Sequence, residues 1–188
     1  PSLNGSILST AVPVTSLKEL YVKMCLYGRN RCGKTTLACC FPKPLLLVCF
    51  EPSETGGAIS VSKMDGVSVI MISSKPLIDP RTGKPEKISG SRKALTLADE
   101  LHKNNPFATV VVDTATSYQD IILQEIMGLD SIPEMLSWGL VSEDQYRDRS
   151  SKTREALRPF LDLSCHVVVT AQEKDHNPPK ERSLGSKL

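Results

Sequence analysis

The sequence predicts an α/β fold built on a mostly parallel, doubly wound sheet with helices on both faces. Five short apolar runs recur along the 188 residues. Runs of this length are typical of strands that are buried on both faces. Segments with helical spacing or turn residues separate them, as connections between parallel strands require. The runs are LYVKMCLY (20–27), PLLLVCF (44–50), VSVIMI (67–72), ATVVVD (108–113) and CHVVVTA (165–171).

Four segments between these runs predict helices. KTTLACCF begins a helix directly after a glycine-containing loop, and SRKALTLADELHKN has amphipathic spacing that ends before Pro106. TSYQDIILQEIMGL predicts the helix after the fourth strand, and SEDQYRDRSSKTREALRPFLDLS predicts the one before the fifth. Residues 73–92 are rich in proline, glycine and basic residues, which predicts an exposed loop.

Length and composition predict one domain. A chain of 188 residues with 40% hydrophobic content buries a sufficient core without disulfides or a structural metal. Residues 1–16 carry no charge and predict a flexible tail ahead of a core at 17–188. The six cysteines lack the C-x-x-C spacing of a zinc or redox site, which is typical of a reducing compartment. With no membrane span and no signal peptide in the sequence, we expect a cytoplasmic protein.

A phosphate-binding loop is predicted at residues 28–36, where GRNRCGKT fits the pattern G-x-x-x-x-G-K-[ST] between a strand and a helix. Glycines let such a loop approach phosphate oxygens, which its N–H groups and the helix N-terminus then bind. Lys34 is expected to reach the β- and γ-phosphates of ATP, and the Thr35 hydroxyl to coordinate Mg²⁺. A plain glycine turn is the alternative. The predicted nucleotide-binding residues are Gly28, Arg29, Asn30, Arg31, Cys32, Gly33, Lys34, Thr35 and Thr36.

Acidic residues follow two predicted strands at the edge where open α/β sheets bind ligands. Asp113 ends ATVVVD and is expected to hold the Mg²⁺ through water, although it or Thr114 could instead cap the next helix. Glu51 and Glu54 follow PLLLVCF, and a carboxylate there could orient the attacking water. Glu51 is favoured because it directly follows the strand, with Glu54 as the alternative. Either could also be a solvated loop carboxylate.

Gln172 ends the fifth predicted strand. A neutral amide at this edge can hydrogen-bond a γ-phosphate and respond to its loss. We expect His166, at the other end of the strand, to be structural. Basic residues cluster in 73–93 and 147–158, where they either neutralise nucleic-acid phosphates or are simply solvated. The aromatic residues that could stack on bases are Tyr118, Trp138 and Tyr146.

These motifs together resemble those of RecA-like P-loop ATPases, and among them small phage-encoded ATP-binding proteins of recombination and single-strand annealing. The resemblance spans about residues 20–175. It implies that the fifth strand lies between the strands carrying Lys34 and Asp113, that Gln172 lies beside the γ-phosphate, and that Glu51 activates water. The matching segments are YGRNRCGKTTLACCFPKPLLLVCFE, TVVVDTATSY, LSWGLVSEDQYR and HVVVTAQE.

The resemblance also implies ATP hydrolysis coupled to single-stranded DNA, in the cytosol of a prokaryote or a phage-infected host. It implies a homo-oligomer, a ring or a filament, in which an arginine could act on a neighbour's ATP. Relatives would continue into further strands, so the C-terminal part is expected to be incomplete. The proline after Glu51 departs from the family pattern and changes the local turn. A mobile loop at 173–188 would contact DNA through Lys174, Lys180, Arg182 and Lys187.

Two other functions remain open at this point. One is a P-loop kinase that phosphorylates a small acceptor, with residues 73–92 as its lid. The other is an ATP-gated assembly or scaffold protein that hydrolyses ATP slowly.

Overall fold

The described residues form an α/β fold around a five-stranded parallel sheet, as the sequence predicts. The computed structural model describes residues 20–50, 57–73, 77–78, 85–86, 88–128 and 143–173. The strands are β1 (Lys23–Gly28), β2 (Leu45–Phe50), β3 (Val67–Ile72), β4 (Leu77–Ile78), β5 (Pro85–Glu86), β6 (Thr109–Asp113) and β7 (His166–Gln172). The helices are α1 (Lys34–Ala38), α2 (Gly57–Ser60), α3 (Gly90–Lys103), α4 (Ala115–Met127) and α5 (Glu143–Leu161).

The strand order of the sheet is β1-β7-β6-β2-β3, and every neighbouring pair is parallel. β7, the last strand in the described part of the chain, therefore lies between β1 and β6, which is the arrangement that the resemblance implies. Parallel pairing brings all five carboxyl ends to one edge of the sheet, where the loop after β1 and the ends of β6 and β7 lie together.

Helices cover both faces of the sheet, but unequally. On one face, α3, α4 and α5 pack on alternate residues of the strands, among them Val48, Val112 and Val167. On the other face, α1 and the short α2 cover a smaller cluster that includes Leu47, Val111 and Val168. All residues of the inner strands β2 and β6 are buried, as continuous apolar runs predict.

The two edge strands correct the expectation that every run is covered on both faces. Most residues of β1 and β3 are exposed, including Tyr27 at 67% and Val69 at 42%. These strands are exposed because they lie at the two edges of the sheet. Each of these strands has a sheet neighbour on one side only in the described part of the chain, and the five-residue α1 and four-residue α2 cover little area.

The segment predicted as a plain loop at 73–92 contains more structure than expected. β4 and β5 pair antiparallel within it, with Leu77 opposite Glu86. α3 then begins at Gly90, and its N-terminus is fixed by α4, because Ser91 donates from its backbone nitrogen and its hydroxyl to the Glu125 carboxylate. Helix N-termini leave N–H groups unpaired, so this carboxylate satisfies one of them and joins two helices.

None of the helices in the described ranges combines the length and the apolar character that crossing a bilayer requires.

Gly90 allows α3 to approach α4 closely, which gives a stability prediction. A Cβ at this position would lie 2.7 Å from Cγ2 of Ile121, closer than packed carbon atoms come. The new Cβ would be fixed to the backbone, and the β-branched Ile121 side chain is stiff. We therefore expect Gly90→Ala to lower the free energy of unfolding by about 1–3 kcal/mol. Urea denaturation followed by circular dichroism measures it.

Thr96→Ala is the matched control, because Thr96 is exposed on the same helix. It should change stability by less than about 0.5 kcal/mol. Equal stability of the Gly90→Ala variant and the parent would contradict the close packing of α3 on α4.

Candidate functional site

The loop after β1 has the backbone of a phosphate-binding loop. Gly33 has a φ of +86° and Arg31 a φ of +60°, so both lie in the left-handed region. Left-handed residues in such loops turn successive N–H groups towards a common side, where they bind anions. A non-glycine residue at position 33 would be strained. α1 begins directly afterwards and is shorter than the helix that the sequence predicts, because Cys39 and Cys40 already lie in a turn.

The Lys34 ammonium group lies inside this loop. It donates hydrogen bonds to the backbone oxygens of Gly28 at 2.9 Å and Arg29 at 2.7 Å, and lies 3.8 Å from Sγ of Cys32. The side chain therefore points back over the loop rather than out into solvent. A cation held in this position meets an anion that enters the loop, which is the role that the motif predicts for it.

Asp113 joins three elements at the carboxyl edge of the sheet. The residue is only 5% exposed. Thr35, in the first turn of α1, donates its hydroxyl to Oδ2 at 3.0 Å. Thr170 of β7 donates its hydroxyl to Oδ1 at 2.5 Å. Thr114 caps α4 instead, accepting from the Ser117 nitrogen at 3.0 Å, so the capping role considered for Asp113 belongs to its neighbour.

The end of β7 is tied to the loop and to α4. Gln172 lies opposite Gly28 in the sheet, and its backbone nitrogen donates to the Thr116 hydroxyl at 2.9 Å. The Glu173 nitrogen donates to the Gly28 oxygen at 3.0 Å, and its carboxylate lies 3.7 Å from Nε of Arg29. The chain that leaves β7 therefore starts in direct contact with the first two residues of the loop.

Two buried cysteines lie beneath the site. Burial, with a smaller contribution from the negative charge of Asp113, raises the pKa of the Cys39 thiol to about 11 and that of the Cys49 thiol to about 12. Both groups stay protonated at neutral pH, and thiols are far less reactive than thiolates. These cysteines pack as small apolar side chains in the core. In the described ranges, no three His, Cys, Asp or Glu side chains cluster as metal ligands.

The structure brings together most of the residues predicted for nucleotide and Mg²⁺. The loop residues Gly28 to Thr36, the Asp113 carboxylate and Gln172 of β7 all lie at one edge of the sheet. The other predicted site residues fall outside the described part of the chain, and their roles stay predictions. They are Glu51, Glu54, Lys174, Lys180, Arg182 and Lys187.

One residue predicted to stack on bases is wrongly assigned. Tyr118 is fully buried and its ring stacks on Phe50 at 4.2 Å between centroids, so it is not available to a nucleic acid. The position is inside α4, one turn after its N-cap, on the side that faces the sheet. Burial, with a smaller effect from Glu125, raises the pKa of the hydroxyl. Trp138 lies outside the described residues, and so does the side chain of Tyr146.

The predicted basic clusters are partly engaged within the fold. Lys93 donates to the Ser73 oxygen at 2.7 Å, and Arg158 lies 3.8 Å from the Asp162 carboxylate. Arg147 and Arg154 are exposed on α5. His166 has the structural role expected of it, because its Nδ1 accepts from the Val22 nitrogen at 3.0 Å and its ring packs on Phe41.

Thr170, Thr116 and Glu173 were not singled out by the sequence motifs. One signal was available for Thr170. Side chains alternate between the faces of a strand, so Thr170 shares a face with Gln172, and it is a polar residue at the end of a run of valines.

Comparison with known families agrees with this geometry. A family model described as an AAA domain matches residues 20–183, which is most of the chain. The chain belongs to this family. AAA domains are nucleotide-binding P-loop ATPases, so the fold and the P-loop part of the expectation are confirmed. No curated protein is significantly similar to the chain.

The donor set of this AAA domain fits Mg²⁺ with a nucleoside triphosphate. Mg²⁺ takes oxygen ligands and keeps several waters. The Thr35 hydroxyl would be one such ligand, and the Asp113 carboxylate, 3.0 Å from it, would hold one of the waters. Lys34 lies in the loop that would hold the phosphates. When bound, the metal would neutralise charge on the phosphate oxygens.

Cysteine labelling provides a test of nucleotide binding at the loop. Cys32 and Cys25 are exposed, whereas Cys39, Cys49 and Cys165 are buried. We expect Mg·ATP at ten times its Kd to slow alkylation of Cys32 about tenfold, because only about one molecule in eleven is then free. Mass spectrometry after labelling with iodoacetamide measures each site separately.

Cys25 is the internal control, since it lies on β1 outside the loop and should react at the same rate with and without nucleotide. The protection should disappear in Lys34→Ala. Equal reactivity of Cys32 with and without Mg·ATP would contradict nucleotide binding in this loop.

Proposed function

We propose that this protein is an ATPase that acts in DNA recombination or single-strand annealing. It binds Mg·ATP through residues 28–36 and hydrolyses it with a water molecule that Glu51 orients. The state of the γ-phosphate passes through β7 and Gln172 to a segment after Glu173 that contacts single-stranded DNA.

The hydrogen bond between Thr35 and Asp113 is the observation that carries the proposal. It joins the phosphate-binding loop to the end of β6 within 3.0 Å, with the Lys34 ammonium group in the same loop. A hydroxyl, a carboxylate and a lysine in this arrangement supply the Mg²⁺ ligands and the cation that phosphoryl transfer needs. The family match supports nucleotide binding, and the oxygens of Thr35 and Asp113 support a Mg²⁺ site.

The role of Glu51 is supported by the strand order. β2 is the neighbour of β6, and Cys49 lies opposite Asp113. Phe50 ends β2 at the same edge of the sheet at which Asp113 ends β6. A base that orients water must lie within hydrogen-bond reach of that water. Glu54, three residues later, is the alternative.

Coupling to DNA is supported by the contacts at the end of β7. The Glu173 nitrogen bonds to Gly28, and the Glu173 carboxylate lies near Arg29, so a change in the loop acts directly on the start of the following segment. That segment carries basic residues suited to phosphates rather than to base stacking. Recombination and annealing are proposed from the sequence resemblance. The candidate DNA contacts are Lys174, Lys180, Arg182 and Lys187.

Domain organisation and assembly belong to the same proposal. We propose that residues 17–188 form one ATPase domain preceded by a tail at 1–16. The predicted DNA-contacting loop at 173–188 begins one residue later than the sequence suggests, because the Glu173 nitrogen is bonded to the Gly28 oxygen. The protein acts in the cytosol as a homo-oligomer, in which an arginine of one subunit completes the ATP site of the next.

ATP turnover with and without single-stranded DNA tests the proposed function. We expect DNA to raise kcat severalfold, with a stimulation that weakens as salt increases, because phosphate contacts release counterions. Lys34→Ala should lose turnover, since the developing phosphate charge loses its cation. Glu51→Gln should keep nucleotide binding and lower kcat by 100-fold or more, about 3 kcal/mol of barrier.

Glu54→Gln is the matched control and should hydrolyse ATP at nearly the parent rate. Normal hydrolysis by Glu51→Gln with loss in Glu54→Gln would transfer the role of base to Glu54. Turnover that ignores DNA and rises with a nucleoside or nucleotide acceptor would instead indicate a kinase. Slow turnover with ATP-dependent assembly and no response to DNA would indicate an assembly protein.

A further inference from the structure

Thr170 stands out among the polar residues of the sheet. It is fully buried in β7, a strand whose other central residues are Val167, Val168 and Val169. Burying a hydroxyl costs free energy unless it is hydrogen-bonded, and valine would fill the same volume without that cost. The partner of this hydroxyl is Oδ1 of Asp113, at 2.5 Å.

The two oxygens of Asp113 are held from opposite sides. Thr35 bonds to Oδ2 and Thr170 to Oδ1, so the carboxylate plane is fixed by one residue of α1 and one of β7. Outer-shell hydrogen bonds of this kind orient a metal-ligating group and raise the affinity of the site. The Thr35 hydroxyl would bind the metal when Mg²⁺ is present. Thr170 is then the donor that stays hydrogen-bonded to the Asp113 carboxylate with and without the metal.

We propose that Thr170 is a positioning residue that holds Asp113 in the orientation required for Mg²⁺. This inference rests on the proposed function, because it assumes that Asp113 serves the metal of a bound nucleotide. It adds a role for β7 beyond Gln172. β7 ends beside the phosphate-binding loop and also holds the Asp113 carboxylate. The metal site and the proposed response to the γ-phosphate therefore depend on the same strand.

The Mg²⁺ dependence of nucleotide binding tests this role without relying on turnover. A fluorescent, non-hydrolysable ATP analogue is titrated in EDTA and at rising Mg²⁺. We expect Thr170→Val to raise the half-saturating Mg²⁺ concentration about tenfold, because a methyl group cannot donate and must stay about 3.3 Å or more from the oxygen. Binding in EDTA should be unchanged, and Thr170→Ser should restore the parent Mg²⁺ dependence.

Thr109→Val is the matched control. Thr109 is also fully buried in an inner strand, but its hydroxyl donates to the Pro42 backbone oxygen at 2.8 Å, at the opposite end of β6 from Asp113. It should leave the Mg²⁺ dependence unchanged even if it lowers the Tm. If Thr170→Val fails to fold, Thr170→Ala replaces it, because it removes the hydroxyl and leaves space.

A parent-like Mg²⁺ dependence in Thr170→Val or Thr170→Ala would overturn the inference while leaving the ATP site in place. Equal increases in the Thr170 and Thr109 valine variants would also overturn it, since the effect would then be general destabilisation. Absence of any analogue binding by the parent protein, with or without Mg²⁺, would overturn the proposed function and this inference together.

Discussion

The hydrogen-bonded carboxylate of Asp113 is the interaction on which the rest of the site depends. Because Asp113 is buried, its carboxylate needs hydrogen-bond donors, and α1 and β7 supply them in place of water. Those contacts require β7 to be the neighbour of β6 and α1 to lie on the same face as Thr170. The strand order, the position of the phosphate-binding loop and the geometry of the predicted Mg²⁺ site are therefore linked by one side chain.

Much of the fold could be predicted because continuous hydrophobic runs indicate buried strands. The runs at 44–50 and 108–113 became fully buried inner strands. The runs at 20–27 and 67–72 look the same in sequence, yet they became exposed edge strands, because exposure depends on what packs beside a strand. β4, β5 and α2 were missed since two to four residues are too few to show a period.

The site was predictable where a local motif marks it. The loop at 28–36 and the ends of two apolar runs indicated Lys34, Asp113 and Gln172. Thr170 was missed because a threonine among valines is typical of any strand, and its partner comes from a register that only the sheet supplies. Tyr118 was assigned wrongly because composition shows that an aromatic residue exists but not which face of the helix carries it.

We propose that the nucleotide state of the loop reaches the end of β7 through the hydrogen bonds at Asp113 and Gly28. Hydrogen exchange measured by mass spectrometry with and without Mg·ATP tests this coupling. We expect slower exchange in peptides covering both 28–36 and 168–173, with no change near His166 at the opposite end of β7. Slower exchange at 28–36 with an unchanged rate at 168–173 would contradict it.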